Sequence, residues 1–311
     1  MIHVLSQVEF SENDCQKFVN SGFLIEYKGR FSFDKFSHPE KYKAIIANGI
    51  DAITADDMDN MSSLEIICVI GVGYERIDLN GAQKRGVSIT HGPGTNTNTV
   101  VEHAIALMLA LTRRICILDS RVRSGEWYAL RKSLPTLNEK KLGVVGLGNI
   151  GSAIASRCHL AFNMSIGFHN RSKISGSRYR HFSSPAELAM WADYLIVCTP
   201  GGASGCNIID NVVLDNLGPE GYLINIGRGC AVNNEALLEC LRNNRIKGAA
   251  LDVVDGEPDI PSAFFSLQNI LLTPHVAAFS PEAIDAMLTL VLKNLVCYFS
   301  QGKLISPVAK L

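Results

Sequence analysis

The hexapeptide Gly146-Leu147-Gly148-Asn149-Ile150-Gly151 follows an apolar run at 142–145 and opens onto Ser152-Ala153-Ile154-Ala155, a helix-forming stretch. Few local patterns leave a chain so little choice. Glycines at these three places allow a tight turn, close approach of backbone to a pyrophosphate, and close packing of helix on strand. The helix N-terminus then offers N–H groups and a positive dipole to the anion. The bare pattern arises by chance too often to decide alone, but its surroundings support it. Six short apolar runs, at 142–145, 164–169, 194–199, 222–226, 249–253 and 270–272, are separated by roughly 20 to 30 residues of helix-plus-turn composition, as in a doubly wound parallel sheet.

Residues 1–91 repeat the theme on a smaller scale, with β-type runs at 2–5, 23–27, 44–46, 66–70 and 87–90 between helix-compatible segments. At about 150 residues per domain, 311 residues also suggest two domains. Residues 100–114, nearly continuous in Ala and Leu and apolar at 101, 105, 108, 109 and 111, predict a long helix buried on more than one side. Such a helix suits a domain crossing or an oligomer interface.

Charge excludes one class of partner. With 29 Lys+Arg against 30 Asp+Glu, there is no basic excess to neutralise phosphates, so no nucleic acid is expected. The most apolar helical stretch, 104–112, is far short of the ~20 residues of a membrane span, and the first residues lack a basic, apolar leader, so no membrane is expected either. Nine cysteines are scattered without a C-x-x-C pair, most inside apolar runs, and read as small hydrophobes of a reducing, cytoplasmic compartment. Histidines 3, 38, 91, 103, 159, 169 and 181 form no metal-ligand spacing. Nucleophile elbow and P-loop patterns are missing, which counts against hydrolase and kinase readings.

In open parallel sheets, ligands bind beyond the carboxyl ends of the strands. Those ends carry residues ill suited to a core: Asn170-Arg171-Ser172, Thr199-Pro200-Gly201-Gly202, Gly227-Arg228-Gly229, Asp252 and Thr273-Pro274-His275. Where an NAD site would place an acid for the ribose hydroxyls stands Asn170, which leaves room for a 2′-phosphate; Arg171 and Ser172 either grip that phosphate or form a solvated turn. Arg228 suits the carboxylate and carbonyl of a 2-oxo acid, or a structural salt bridge. His275 is a proton donor and acceptor if a carboxylate stands behind it, and otherwise a structural histidine. Glu257 precedes Pro258, which pushes it into an extended loop, and no spacing rule pairs it with His275. Gly71-Val72-Gly73-Tyr74 presents consecutive N–H groups to an anion, or is a plain turn.

Taken in order, Gly71-Val72-Gly73-Tyr74, Val101-Glu102-His103, the glycine fingerprint, Ile224-Asn225-Ile226-Gly227-Arg228-Gly229, Leu251-Asp252-Val253, Gly256-Glu257-Pro258 and Thr273-Pro274-His275 resemble the D-2-hydroxyacid dehydrogenase family over nearly the whole chain. The look is nearest the short glyoxylate/hydroxypyruvate reductase branch, which includes hydroxyphenylpyruvate reductases. The resemblance implies an α/β protein of two Rossmann-like domains. A flavodoxin-like substrate domain (1–91 and 277–311) would receive an inserted doubly wound dinucleotide-binding domain (92–276), the whole forming a homodimer built partly on the Val100 region. It implies catalytic Arg228, Glu257 and His275, with Val72 and Gly73 joining Arg228 and His275 at the substrate. Cofactor contacts fall on Gly146, Gly148, Asn149, Ile150, Gly151, Asn170, Arg171, Ser172, Thr199, Pro200, Ile226, Gly227, Asp252 and Thr97. Asp252 would orient the nicotinamide carboxamide.

The implied reaction is NADPH-dependent reduction of a small 2-oxo acid to the D-2-hydroxy acid, with NADP(H) preferred and NAD(H) not barred. A reductase of hydroxyphenylpyruvate or another 2-oxo acid is the alternative within the family. A non-catalytic NAD(P)(H)-binding corepressor or redox sensor is the alternative outside enzymes. Two stretches depart from the usual pattern: Thr199-Pro200-Gly201-Gly202-Ala203, and the polar run Thr95-Asn96-Thr97-Asn98-Thr99 beside the expected nicotinamide contact.

Overall fold

Runs of Val, Ile and Leu without polar alternation belong to strands covered on both faces, and both sheets are built from them. A computed structural model describes residues 1–29, 38–201 and 205–308; Gly202 and Ala203 of the departing loop lie outside the described residues. The chain forms two compact units, Met1–Asn96 with Phe279–Leu311, and Thr97–Ala278.

The first unit holds five parallel strands, β1 (Ile2–Ser6), β2 (Phe23–Tyr27), β3 (Tyr42–Ala47), β4 (Ile66–Val69) and β5 (Ser88–Thr90), in the order β2-β1-β3-β4-β5. Side chains alternate across the sheet, as a two-residue period requires. Val4, Ala44, Ile46, Ile66 and Cys68 enter one core layer; Leu5, Ile45, Ala47, Ile67 and Val69 enter the other. The first layer is closed by the helix Pro281–Gln301, through Leu288, Val291 and Leu295. That helix, at 21 residues, is long and apolar enough to cross a membrane by length and composition. The stretch 104–112 lies in a shorter apolar helix.

The second unit adds β6 (Lys141–Val145), β7 (Ser165–His169), β8 (Arg180–His181), β9 (Tyr194–Val197), β10 (Tyr222–Asn225), β11 (Gly248–Leu251) and β12 (Ile270–Leu272), all parallel, in the order β12-β11-β10-β9-β6-β7-β8. The six expected strands are present. The seventh, β8, escapes hydrophobic pattern because it is two polar residues at the sheet edge. Leu142, Val144, Tyr194, Ile196, Tyr222 and Ile224 face one layer, and Val145, Leu195, Val197 and Leu223 the other. Each such aliphatic side chain, fully buried, contributes about 1.5–3 kcal/mol relative to exposure. Strand order reverses between β6 and β9, so the ligand crevice of a doubly wound sheet falls beyond the ends of these two strands.

Three expectations shift. The helix predicted over 100–114 runs Thr97–Thr112; Arg114, at φ 52°, leaves right-handed geometry, and a second helix, Ile115–Arg123, begins. Its fully buried residues, Val100, Val101, Ala104, Leu107, Met108 and Thr112, mark one face, while Glu102 and Ala106 are exposed. Near the unit boundaries, Gly92 donates its N–H to the Gly71 carbonyl and stays with the first unit. Ala277 donates to the Asp252 carboxylate and stays with the second.

Candidate active site

The carboxyl edge of the second sheet is organised by its loops. At β6, Gly146 turns at φ 98°. A Cβ on Gly151 would stand 2.2 Å from the Gly146 carbonyl oxygen, so the first turn of the helix Asn149–Phe162 can lie against the loop only without one. A Cβ on Gly148 would meet nothing within 4 Å, and this residue begins the helix with no side-chain cap. Asn149 and Ile150 form that first turn, whose N–H groups have no partner within the helix.

Asn170, just past β7, accepts a 2.7 Å hydrogen bond from the Leu147 N–H and so braces the glycine turn from the neighbouring strand. Arg171 and Ser172 are exposed beyond it, and no carboxylate intervenes. Thr199, beyond β9, has a buried hydroxyl with no hydrogen-bond partner among the described residues; Pro200 beside it is exposed. Thr97 opens its helix one residue before Asn98, whose Oδ1 accepts from Arg157 of the helix Asn149–Phe162 at 2.7 Å. A free helix N-terminus, an open cradle over Gly148 and an orphaned hydroxyl at the switch point fit a dinucleotide.

Arg228 is fixed by its neighbours. Ile226 prolongs β10 through a bond to the Val197 carbonyl. Asn225, fully buried, accepts from the Gly227 N–H at 3.1 Å and donates to the Arg228 carbonyl at 2.9 Å. A Cβ on Gly229 would stand 2.2 Å from the Val254 carbonyl carbon, so the turn is locked against the loop beyond β11. The guanidinium touches its own turn, Nη1 to the Gly227 carbonyl at 2.8 Å, and is near enough to Glu257 to act on its charge.

Glu257 closes a turn in the loop beyond β11, outside helical geometry as Pro258 requires. Its N–H donates to the Val254 carbonyl, with Gly256 at φ 89° in the position where a type II turn needs a glycine. The turn aims the side chain at His275: Oε1 lies 2.6 Å from Nδ1, and the Val254 N–H donates to Oε2 at 3.3 Å. Burial pushes this carboxyl up, but the hydrogen bond and charge of His275, the Val254 N–H and Arg228 outweigh it, and Glu257 ends below the usual carboxylate range. The three expected side chains, Arg228, Glu257 and His275, are thus brought to one edge.

His275 has φ 53°, a left-handed geometry costing about 1–3 kcal/mol outside glycine. Asp252 holds it there. The Asp252 carbonyl accepts from the His275 N–H at 2.8 Å. Its carboxylate, in a side chain only 1% exposed, accepts from Val276 N–H, Ala277 N–H and the Thr273 hydroxyl at 3.0, 3.0 and 2.6 Å. His103 completes the group, its Nε2 lying 3.1 Å from Thr273 Oγ1 and 3.3 Å from Asp252 Oδ1. Asn225, Thr273 and His103 were not singled out from sequence as site residues. The available signal was a polar residue inside an otherwise apolar strand or helix.

In the first unit, Gly71 (φ 102°) ends the segment after β4, and the Val72 carbonyl meets His91 Nδ1 at 3.2 Å. The amides of Val72 and Gly73 have no protein acceptor among the described residues. Among those residues there is also no group of three His, Cys, Asp or Glu able to hold a metal ion.

Comparison with known proteins gives a consistent result. Residues 105–277 match the family described as D-isomer specific 2-hydroxyacid dehydrogenase, NAD binding domain. The chain is 37% identical over 273 residues to glyoxylate/hydroxypyruvate reductase A of Arabidopsis thaliana, covering 88% of this chain and 87% of that one. It is 38% identical over 270 residues to hydroxyphenylpyruvate reductase of Plectranthus scutellarioides, covering 86% of each. The crystal structure of an NADPH-dependent glyoxylate/hydroxypyruvate reductase from Sinorhizobium meliloti, in complex with NADP and malonate, superposes with a TM-score of 0.92 at 34% identity, over 99% of this chain and 97% of that one.

Proposed function

Because this chain belongs to the D-isomer-specific 2-hydroxyacid dehydrogenase family, we propose that it reduces a small 2-oxo acid of the glyoxylate or hydroxypyruvate type to the D-2-hydroxy acid, with NADPH in preference to NADH. The observation carrying the proposal is the 2.6 Å contact between His275 Nδ1 and Glu257 Oε1, made under the charge of Arg228. Bound NADPH supplies the hydride that reaches C2. With Nδ1 engaged by the carboxylate, His275 gives its proton from Nε2 to the carbonyl oxygen, and Glu257 stabilises the imidazolium before transfer. Arg228 binds the substrate carboxylate and polarises the carbonyl, opposing the negative charge that grows on oxygen.

The backbone amides of Val72 and Gly73 are proposed donors to the carboxylate, and Asp252 a proposed partner of the nicotinamide carboxamide. Arg171 and Ser172, with no acid at position 170, favour a 2′-phosphate, and the NADP carried by the Sinorhizobium meliloti relative supports the same choice. A homodimer is proposed from the exposed aromatic segment after the helix Ile115–Arg123, where Trp127 and Tyr128 are 63% and 81% exposed. A reducing cytoplasmic location is proposed from cysteines placed as small hydrophobes inside apolar runs, among them Cys68 and Cys198.

The test is absorbance at 340 nm with glyoxylate, hydroxypyruvate, pyruvate and 4-hydroxyphenylpyruvate, each with NADPH and NADH. Turnover of at least one, abolished in His275→Ala with NADPH binding retained, is expected. Binding of NADPH without turnover of any of them would favour the sensor alternative, and an unchanged kcat in His275→Ala would overturn the assignment of the acid.

A further inference from the structure

Two thiols stand beside the Arg228 turn that the reaction does not use. Past β9 the chain returns along the segment that follows Arg228: Asn207 donates its N–H to the Cys230 carbonyl at 2.7 Å, Ile209 donates to the Ala231 carbonyl at 2.9 Å, and Ile209 pairs in parallel with Val232. This short ladder sets Cys206 beside Cys230, and the two free thiols are hydrogen-bonded to each other. Their accessibilities differ usefully: Cys206 is exposed and Cys230 half-buried. Cys68 and Cys158, by contrast, are buried in the sheet cores. Sequence spacing alone, 24 residues without a C-x-x-C, conceals the pair.

We propose that Cys206 and Cys230 form a reversible disulfide, a redox modification site that ties the loop beyond β9 to the Gly227-Arg228-Gly229 turn. The oxidant is a low-molecular-weight disulfide of the glutathione class. The Cys206 thiolate attacks one of its sulfurs, forming a mixed disulfide and releasing one small thiol. Cys230 then gives up its proton to solvent and attacks the Cys206 sulfur, releasing the second. Two protein thiols are oxidised and one small disulfide is reduced to two thiols; a dithiol reductant reverses the exchange.

The local chemistry supports this division of labour. Burial first, and then the hydrogen bond and charge of Cys206, push the Cys230 thiol up to about 12, while Arg228 acts in the opposite sense. Cys230 therefore keeps its proton, which leaves the exposed Cys206 as the attacking sulfur. A bond here also has mechanical consequences. Cys230 is two residues past Arg228, and Gly229 has no room to shift against Val254, so the pull passes to Arg228.

The full-length protein is treated with excess oxidised glutathione, with a parallel sample then reduced by dithiothreitol. Expected are the loss of the Cys206 and Cys230 thiols with no glutathione retained on either, a Cys206–Cys230 linkage in the digest by mass spectrometry, and full reversal; exposed Cys116 is counted separately. Cys230→Ser should trap glutathione on Cys206, and Cys206→Ser should leave Cys230 reduced. Retention of all thiols, or a linkage between other cysteines, would overturn the proposal. The catalytic effect depends on the reading of Arg228 given above: oxidation should raise the KM for the 2-oxo acid by about tenfold and not in Cys206→Ser. If the bond forms and KM stays the same, the coupling to Arg228 is overturned while the reductase assignment stands. If no 2-oxo acid is turned over, the mass measurement still decides whether the bond exists.

Discussion

The Nδ1 atom of His275 lies 2.6 Å from Oε1 of Glu257 across 18 positions of sequence, which leaves Nε2 as the ring nitrogen for exchanging a proton with a ligand. Neither partner is placed by a regular element. Glu257 is aimed by a glycine turn, and His275 is held at φ 53° by the Asp252 backbone. The contact is set by two loops that leave neighbouring strands.

Replacing Glu257 by Gln keeps the shape and removes the charge. General acid–base catalysis by a positioned side chain is worth about 100- to 10,000-fold, so weakening the acid should lower kcat by at least about tenfold while the Kd for NADPH, from fluorescence titration, is unchanged. A kcat within about twofold of wild type would show that the imidazolium does not need the anion.

Acid should reveal the same pair. Because Glu257 titrates below its ordinary value of 4.5 in the folded chain, its ionised form contributes stability that is complete above that pH and lost as pH falls through the folded-state value. Thermal unfolding followed by circular dichroism should show wild type losing Tm below about pH 4.5 more steeply than Glu257→Gln, the two curves converging at lower pH. Glu26 gives an independent limb. Burial raises its carboxyl, but Lys41, Tyr42 and His3 together bring it down to about 2, so Glu26→Gln should flatten the profile without affecting turnover.

Asn225 has no exposed atom for a ligand, yet it fastens the Arg228 turn at two points. Asn225→Ala leaves a buried N–H and a carbonyl short of partners, and about 1–3 kcal/mol of stability should go with them, measured by urea unfolding. The KM for the 2-oxo acid should rise with the loosened guanidinium. A loss of stability with KM unchanged would confine Asn225 to the fold.

Arg171→Ala should raise the KM for NADPH about ten- to hundredfold, the worth of hydrogen bonds to a charged group, and leave that for NADH nearly constant. Equal effects on the two cofactors would remove Arg171 from the 2′-phosphate site.

Much of the scaffold was legible because strands covered on both faces must be apolar throughout: runs such as Leu195-Ile196-Val197 and Leu223-Ile224 can be little else in a chain punctuated by turns. The glycine fingerprint was legible for steric reasons, since only a residue without Cβ fits 2.2 Å from the Gly146 carbonyl oxygen. Strand β8 was not, because two polar residues paired at an edge bury too little to leave a pattern. His103 and Thr273 were hidden for another reason. Their meeting with Asp252 depends on how a helix crosses the ends of β11 and β12, which side-chain periodicity does not encode. The Cys206–Cys230 contact is of the same kind.

The first unit is assembled from two stretches of chain separated by Thr97–Ala278, a gap of 278 − 97 + 1 = 182 residues. The sheet face bearing Val4, Ala44, Ile46 and Ile66 is complete in sequence long before the helix Pro281–Gln301 that covers it has been made. At about 5–20 residues per second, translation of the insert keeps that apolar surface waiting for about 10–40 s. During that interval the nascent chain presents a greasy flank to chaperones and to neighbouring polysomes. Maturation of the N-terminal sheet is thereby timed by the ribosome's progress through the inserted stretch.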